Sequence, residues 1–441
     1  MSPRRLLALF IVTLTAAWGW DALVLNPMTG EWPWLIRQHG LYLTGIWSIG
    51  LMSLAMVLSV RPAWLETPLN GMDKIYSAHK WAGILGISAG IAHWLVKQAG
   101  SPLKSLVGTA GRPAKMPLFE FMSPVHGLAK DVGEWVLYAL IFMLVISLWK
   151  RFPYRPWRLL HKAMPALYLL LVFHSFALMP TSYWSGLLGG LTALLLLAGS
   201  VASVISIKQK IGQRHRHEGR IVSVKQHSNS ILEVNCDAGA NWPGHEPGQF
   251  AFVTFDAREG AHPFTIASAP VAGSNQITFQ IKALGDYTRA LPHMIQPGQD
   301  VCIEGPYGRL DHHLARNDAA QIWVGGGIGI TPFLAWLEDF SQIPHKTAID
   351  FHYCVRDAKT DPFVARIERL CHDLPSVTLH VHDASQQNYL RVEDLVENRP
   401  AGQKLDVWYC GPAGLATTLR KRLKSLGQYD TRFHQEAFEM R

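Results

Sequence analysis

The chain has 441 residues, 49% of them hydrophobic, with a formal charge of +8 and five cysteines. This length permits two or three domains, and the lack of any C-x-x-C pair excludes zinc-ribbon and iron–sulfur readings. The basic residues crowd the ends of apolar runs, so the charge reads as membrane topology and gives no reason to invoke nucleic acid.

Six apolar segments of spanning length come first: Leu6–Leu25, Leu41–Val60, His79–Val96, Val132–Trp149, Leu160–Leu178 and Tyr183–Ile207. The first follows Arg4 and Arg5 as a signal sequence would. LTAAWGWDAL has no small-x-small cleavage site, however, so a retained helix is expected. Arg61, Lys74, Lys80, Lys150, Arg151, Arg155, Arg158, Lys162, Lys208 and Lys210 fall on the same side as the N-terminus. Both termini and the polar second half are therefore expected in the cytoplasm of a bacterial inner or plasma membrane, among membrane lipid. All five cysteines lie in that half, where a reducing compartment keeps them unpaired.

Two of the segments carry paired histidines. His79 and His93 are 14 positions apart, His161 and His174 13 apart. Histidine is costly in a spanning helix unless it binds something. At 1.5 Å rise per residue each pair spans about 20 Å, enough to clamp two haems stacked across a bilayer. The two helices run in the same direction, so depth pairs His79 with His161 and His93 with His174. Bis-imidazole ligation closes the iron to substrate and suits electron transfer. A spacing of 14 returns to within about 40° of one helix face, whereas 13 misses by about 140°. Pro165 is expected to kink that helix and correct part of the mismatch. His39 and His126 lack a counterpart and read as outer-surface residues. Arg37 beside Gly40 is either an interfacial anchor or a contact for outer propionates or an acceptor.

Beyond a basic linker, residues 208–218, the pattern changes. RIVSVKQ, SILEVNC and QFAFVTF read as strands of a small antiparallel barrel, expected over residues 219–315. The strings His262-Pro-Phe-Thr265, Ile281-Lys-Ala-Leu-Gly285-Asp-Tyr-Thr288 and Glu304-Gly-Pro-Tyr-Gly308 follow in an order that suits a flavin, GDYT giving a diphosphate close access to backbone. Next, a buried strand leads into Gly325-Gly326-Gly327-Ile-Gly329, with Thr331 and Pro332 opening a helix. AIDFHYCVR, VTLHVHD and LDVWYCGP complete a doubly wound nucleotide domain, expected over residues 316–441.

Over essentially its whole length the chain resembles the ferric reductase and NADPH oxidase superfamily. The resemblance implies a membrane all-α six-helix bundle over residues 1–207 carrying two haem b. It also implies a β-barrel FAD domain and an α/β doubly wound NAD(P)-binding domain. It matches His262, Pro263, Phe264 and Thr265 to the flavin motif, with the aromatic on the isoalloxazine and Thr265 near its reactive edge. It puts Gly285 and Thr288 at the flavin diphosphate, with Ile281 and Lys282 as further cofactor-binding candidates, and the Gly325–Pro332 loop on NADPH or NADH. Cys410, Gly411 and Pro412 match its Cys-Gly-Pro segment beside the nicotinamide, and Phe438 its terminal aromatic on the flavin. Thr265, Cys410 and Phe438 are thus the catalytic candidates. Arg356 is placed to pair with a 2′-phosphate, favouring NADPH, and Arg391 is a weaker candidate. His434 and Glu436 either line the cleft or lie on the surface. The implied activity moves electrons from NAD(P)H to an outer acceptor: dioxygen giving superoxide, a ferric or cupric ion, or a periplasmic redox partner.

Overall fold

The computed structural model describes residues 1–149, 151–228, 230–343, 347–397 and 399–436. The chain divides into two units, one covering Met1–Gly212 and the other beginning at Gln213.

The first unit is helical. α1 (Pro3–Gly19) starts on Ser2, whose hydroxyl accepts from Arg5 N–H, and Pro3 occupies the first turn, where a missing N–H is harmless. The longer helices that follow are α2 (Trp32–Ser59), α3 (Met72–Gln98), α4 (His126–Leu148), α5 (Tyr154–His161), α6 (Met164–Leu178) and α7 (Leu187–Ile207). Among the described residues five stretches are long and apolar enough to cross a membrane: Pro3–Leu25, Trp32–Ser59, Glu120–Leu148, Tyr154–Leu178 and Leu187–Ile207. The third expected span, α3, is helical throughout but is not one of them; Asp73, Lys74, Lys80 and Lys97 dilute its apolar content.

Small residues set how closely the helices pack. A Cβ at Gly86 of α3 would lie 3.2 Å from Met52, and one at Gly90 3.1 Å from Ser48 Oγ, so α3 lies tight along α2. Tyr168 OH meets Ser53 Oγ at 2.8 Å and ties α6 to α2 through a hydrogen bond that no water competes for. Asp21, fully buried, accepts the Leu188 N–H at 2.6 Å, which places a carboxylate at the first turn of α7.

The second unit contains two sheets. β1 (Arg216–Ser228), β2 (Ile231–Asp237), β3 (Phe250–Thr254), β4 (His262–Thr265), β5 (Gln276–Lys282) and β6 (Asp300–Tyr307) form an antiparallel sheet in the order β4-β3-β6-β1-β2-β5. A bridge from Ile266 to Phe279 brings its two edges together. α8 (Asp286–Met294) leaves the end of β5.

β7 (Ala320–Gly326), β8 (Ile349–Val355), β9 (Val377–Asp383), β10 (Lys404–Cys410) and β11 (Asp430–Gln435) form a parallel sheet in the order β11-β10-β7-β8-β9. Alternation along β7 sends Trp323 to one face, against Phe333 and Trp336 of α9 (Thr331–Gln342) and Ile367 of α10 (Val364–His372). Ile322 and Val324 point to the other, against Leu419 and Leu423 of α11 (Ala413–Leu426). Helices on both faces of a parallel sheet put the ligand crevice where strand order reverses, between the carboxyl ends of β7 and β10.

A buried ion pair holds the opposite end of these strands. Asp406, wholly buried, accepts from Arg316 N–H at 2.7 Å and from its Nε at 3.0 Å, while Arg316 also reaches Asp430. Removing Asp406 leaves the largely buried Arg316 guanidinium with only the exposed Asp430 carboxylate as counter-charge. Asp406→Ala is expected to destabilise this unit by about 3–5 kcal/mol in chemical denaturation. A loss under about 1 kcal/mol would mean the pair is dispensable.

Candidate functional site

In the helical unit the four histidines come together as two pairs. His79 and His161 have ring centroids 6.2 Å apart, and His93 and His174 6.3 Å apart. Two imidazoles trans on one metal, each bonded at about 2.0–2.1 Å, place their centroids roughly 6.3 Å apart. All four rings are half-buried within the bundle. His79 Nδ1 lies 2.8 Å from Ala55 O, His93 Nδ1 2.8 Å from Leu41 O, and His174 Nδ1 2.7 Å from Ala129 O. A carbonyl only accepts, so each Nδ1 carries the proton and each Nε2 keeps its lone pair, as a metal ligand must.

Backbone space is cut to fit these rings. A Cβ at Gly133 would stand 2.2 Å from His174 Nδ1, and one at Gly45 3.1 Å from His93 Nδ1. By donor chemistry, spacing and space, the two pairs fit two bis-imidazole haems. The mismatch of the 13-residue spacing is relieved by a break: α5 ends on His161 and α6 begins at Met164, with Pro165 in its first turn.

His39 and His126 are half-buried; His39 packs edge-on against Trp18 at 5.6 Å. Arg37 donates to Lys97 O at 2.9 Å and so ties the start of α2 to the end of α3.

In the second unit the HPFT string is β4, paired with β3 from Phe250 to Val253. His262 stacks on Tyr287 at 4.4 Å, Phe264 is half-buried, and Thr265 is buried. Thr288 Oγ1 accepts from Leu284 N–H and Gly285 N–H, each at 3.0 Å, and fixes the start of α8. Leu284, Gly285 and Asp286 are exposed, and a Cβ at Gly285 would meet nothing within 4 Å. This helix start is therefore reached by solvent, with the Leu284 and Gly285 N–H groups taken by Thr288 and the Asp286 carboxylate in its first turn. Ile281 does not belong to the site: strand alternation turns it into the core at 1% exposure. Its neighbour Lys282 instead brings Nζ to 3.8 Å from where a Cβ at Gly327 would stand, a link between flavin strand and nucleotide loop that the sequence did not signal.

The crevice between β7 and β10 is tightly made. Cys410 pairs with Gly325 across the sheet. A Cβ at Gly326 would lie 2.8 Å from Pro412, and one at Gly329 only 2.1 Å from Cys410 O. Gly327 adopts φ +54, where glycine is at ease. Thr331 turns its hydroxyl back to Ile328 O at 3.1 Å, and Pro332 opens α9. Cys410 is 4% exposed, and burial pushes its thiol up to about 12, so it stays protonated at neutral pH. Gly411 and Pro412 follow at the strand end.

Arg356 is exposed just past β8. Asp357 beside it is occupied: its carboxylate accepts from Lys359 N–H and Thr360 Oγ1, both at 3.0 Å. It therefore leaves the arginine's fork unopposed by its own neighbour. Arg391 is engaged with Asp394 at 3.1 Å. His434 is half-buried and stacks on Trp408 at 3.8 Å, while Glu436, 7% exposed, accepts the Arg309 N–H. Phe438 lies outside the described residues.

Known proteins resemble both units. Residues 44–172 match the family described as ferric reductase like transmembrane component, and residues 216–311 match an FAD-binding domain family. Dual oxidase 1 of Canis lupus familiaris is 23% identical over 380 residues, 72% of this chain and 24% of that protein. Ferric reduction oxidase 7 of Arabidopsis thaliana is 35% identical over 96 residues, 18% of this chain and 13% of that protein. The anthranilate 1,2-dioxygenase electron transfer component of Acinetobacter baylyi is 23% identical over 226 residues, 49% of this chain and 65% of that protein. The chain thus spans less than two thirds of the length of each of these three relatives.

Proposed function

The chain belongs to the ferric reductase and NADPH oxidase superfamily of oxidoreductases, and on that premise we propose that it carries electrons across a membrane, from cytoplasmic NAD(P)H to an acceptor on the outer side. The observation that carries this reading is the pair of imidazole separations, 6.2 and 6.3 Å, with the Nδ1 protons of His79, His93 and His174 committed to carbonyls and their Nε2 atoms left as donors. Flavin divides the two electrons of a hydride and haem carries them singly, which is the chemistry FAD and two haem b supply when bound.

The residues of this chain do the holding. His79 and His161 hold the inner haem, and His93 and His174 the outer. Pro263, Phe264 and Thr265 border the isoalloxazine, while the α8 start at Gly285 receives the diphosphate. Gly325–Gly329 and Cys410–Pro412 form the crevice for the nicotinamide nucleotide, where an uncharged Cys410 thiol packs without repelling hydride density. Dioxygen, giving superoxide, is the acceptor we favour, since outer-sphere transfer needs no general base. Ferric or cupric ions and a periplasmic protein are the other candidates.

A reduced-minus-oxidised spectrum of the purified protein should show a b-type haem band; its absence would sink the haem reading. NADPH turnover should be faster in air than under argon and should drive cytochrome c reduction that superoxide dismutase inhibits. Equal turnover without oxygen, sustained by ferric chelate, would move the assignment to metal reduction.

The nucleotide preference has its own test. Arg356→Ala removes a charge-assisted contact of about 1.5–3 kcal/mol. It should raise the KM for NADPH about 10- to 100-fold and leave the KM for NADH unchanged. An equal effect on both cofactors would show that Arg356 does not read the 2′-phosphate.

A further inference from the structure

Three of the four paired histidines are held alike, and one is not. His79, His93 and His174 each give Nδ1–H to a backbone carbonyl of a neighbouring helix. His161 Nδ1 is buried and, among the described residues, has no hydrogen-bond partner. Its ring instead lies against the indole of Trp157, one helical turn earlier, with centroids 5.0 Å apart and planes 24° apart. Trp157 is itself fixed, donating Nε1–H to Ser147 Oγ of α4 at 2.9 Å. The helix break explains the difference, because α5 ends on His161 and the ring leaves the continuous helix that carries His174.

The two arrangements have different chemistry. A carbonyl accepting Nδ1–H draws the proton outward, makes the imidazole a stronger donor at Nε2 and locks the ring. A stronger donor favours the more highly charged ferric state over the ferrous. The His93–His174 pair has two such supports and the His79–His161 pair has one. Stacking orients a ring without adding to its basicity.

We propose that His79–His161 is the weaker-donor pair, that it gives its haem the higher reduction potential, and that Trp157 is the positioning residue that stands in for the missing carbonyl. The proposal rests on the haem reading above. The tuning device is the break before Pro165, which lets one ligand of the inner pair escape the carbonyl ladder that supports the other three.

The test is a potentiometric titration of the detergent-solubilised holoprotein, followed at the haem α-band, with haem counted as the pyridine haemochrome. Wild type should give two waves. His174→Leu, which removes an outer ligand, should keep the higher one. Trp157→Leu should lose inner haem while the lower wave stays in place, and Trp157→Phe, which keeps a ring to stack on, should restore it. Survival of the lower wave in His174→Leu, a single wave in wild type, or loss of the lower wave in Trp157→Leu would each overturn the proposal. A His174→Leu protein with two haems or none would instead overturn the pairing by depth, and this inference with it; the haem count tells the two failures apart.

Discussion

His174→Leu is expected to halve the haem content of the purified protein while NADPH still reduces its flavin at close to the wild-type rate. The imidazole lost is one of the two that meet at 6.3 Å, and leucine has no lone pair to replace it. Disturbing an outer-shell partner of a metal ligand typically costs 10- to 100-fold in affinity, and deleting the ligand itself costs more. The inner pair shares no support with the residue changed. His79 is held by Ala55 of α2, and His161 by Trp157, whereas His174 leans on Ala129 of α4. The pyridine haemochrome assay should therefore fall from about two haems per chain to about one, as two independent bis-histidine sites require. Loss of both haems would mean the sites are not independent, and loss of neither would mean His174 is not a ligand.

How far these pairs could be read in advance follows from what each contact depends on. Pairing by depth needs only helix pitch and alternating direction, both local, so His79, His93, His161 and His174 were legible. The carbonyls of Leu41, Ala55 and Ala129 were not, because every residue has a backbone acceptor and none advertises which one a ring will find. Pro165 signalled a distortion, but the break opens earlier, directly after His161, because the missing N–H and the ring clash act on the preceding turn. In the second unit the glycine loop was visible for a similar reason, since glycine is the one residue whose absence of a side chain is itself a signal. Ile281 was misplaced by motif matching where strand alternation would have turned it inward. Glu436 reaches Arg309 across 127 residues, a separation at which nothing in the local pattern could pair them.

Gly329→Ala is the corresponding test of the nucleotide crevice, and it should uncouple NAD(P)H from the flavin without emptying the protein of cofactors. A Cβ there would lie 2.1 Å from Cys410 O, 2.4 Å from Cys410 C and 2.7 Å from Gly411 N. All three are backbone atoms, so no side chain can rotate away to make room. The loop must lift off the end of β10, where Cys410 pairs with Gly325. Overpacking of this kind typically costs 1–3 kcal/mol, which a well-packed parallel sheet can survive. The rate is more exposed than the fold, because a displacement of about 1 Å at a hydride-transfer site can cost about 100-fold. NADPH-driven flavin reduction should accordingly fall about 100-fold, with flavin content, haem content and dithionite reduction unchanged. Gly414→Ala supplies the control: a Cβ there meets nothing within 4 Å in the first turn of α11, so the same added methyl should leave the rate alone. If Gly329→Ala also turns over at the wild-type rate, the tight approach of β7 and β10 has no part in holding the nicotinamide.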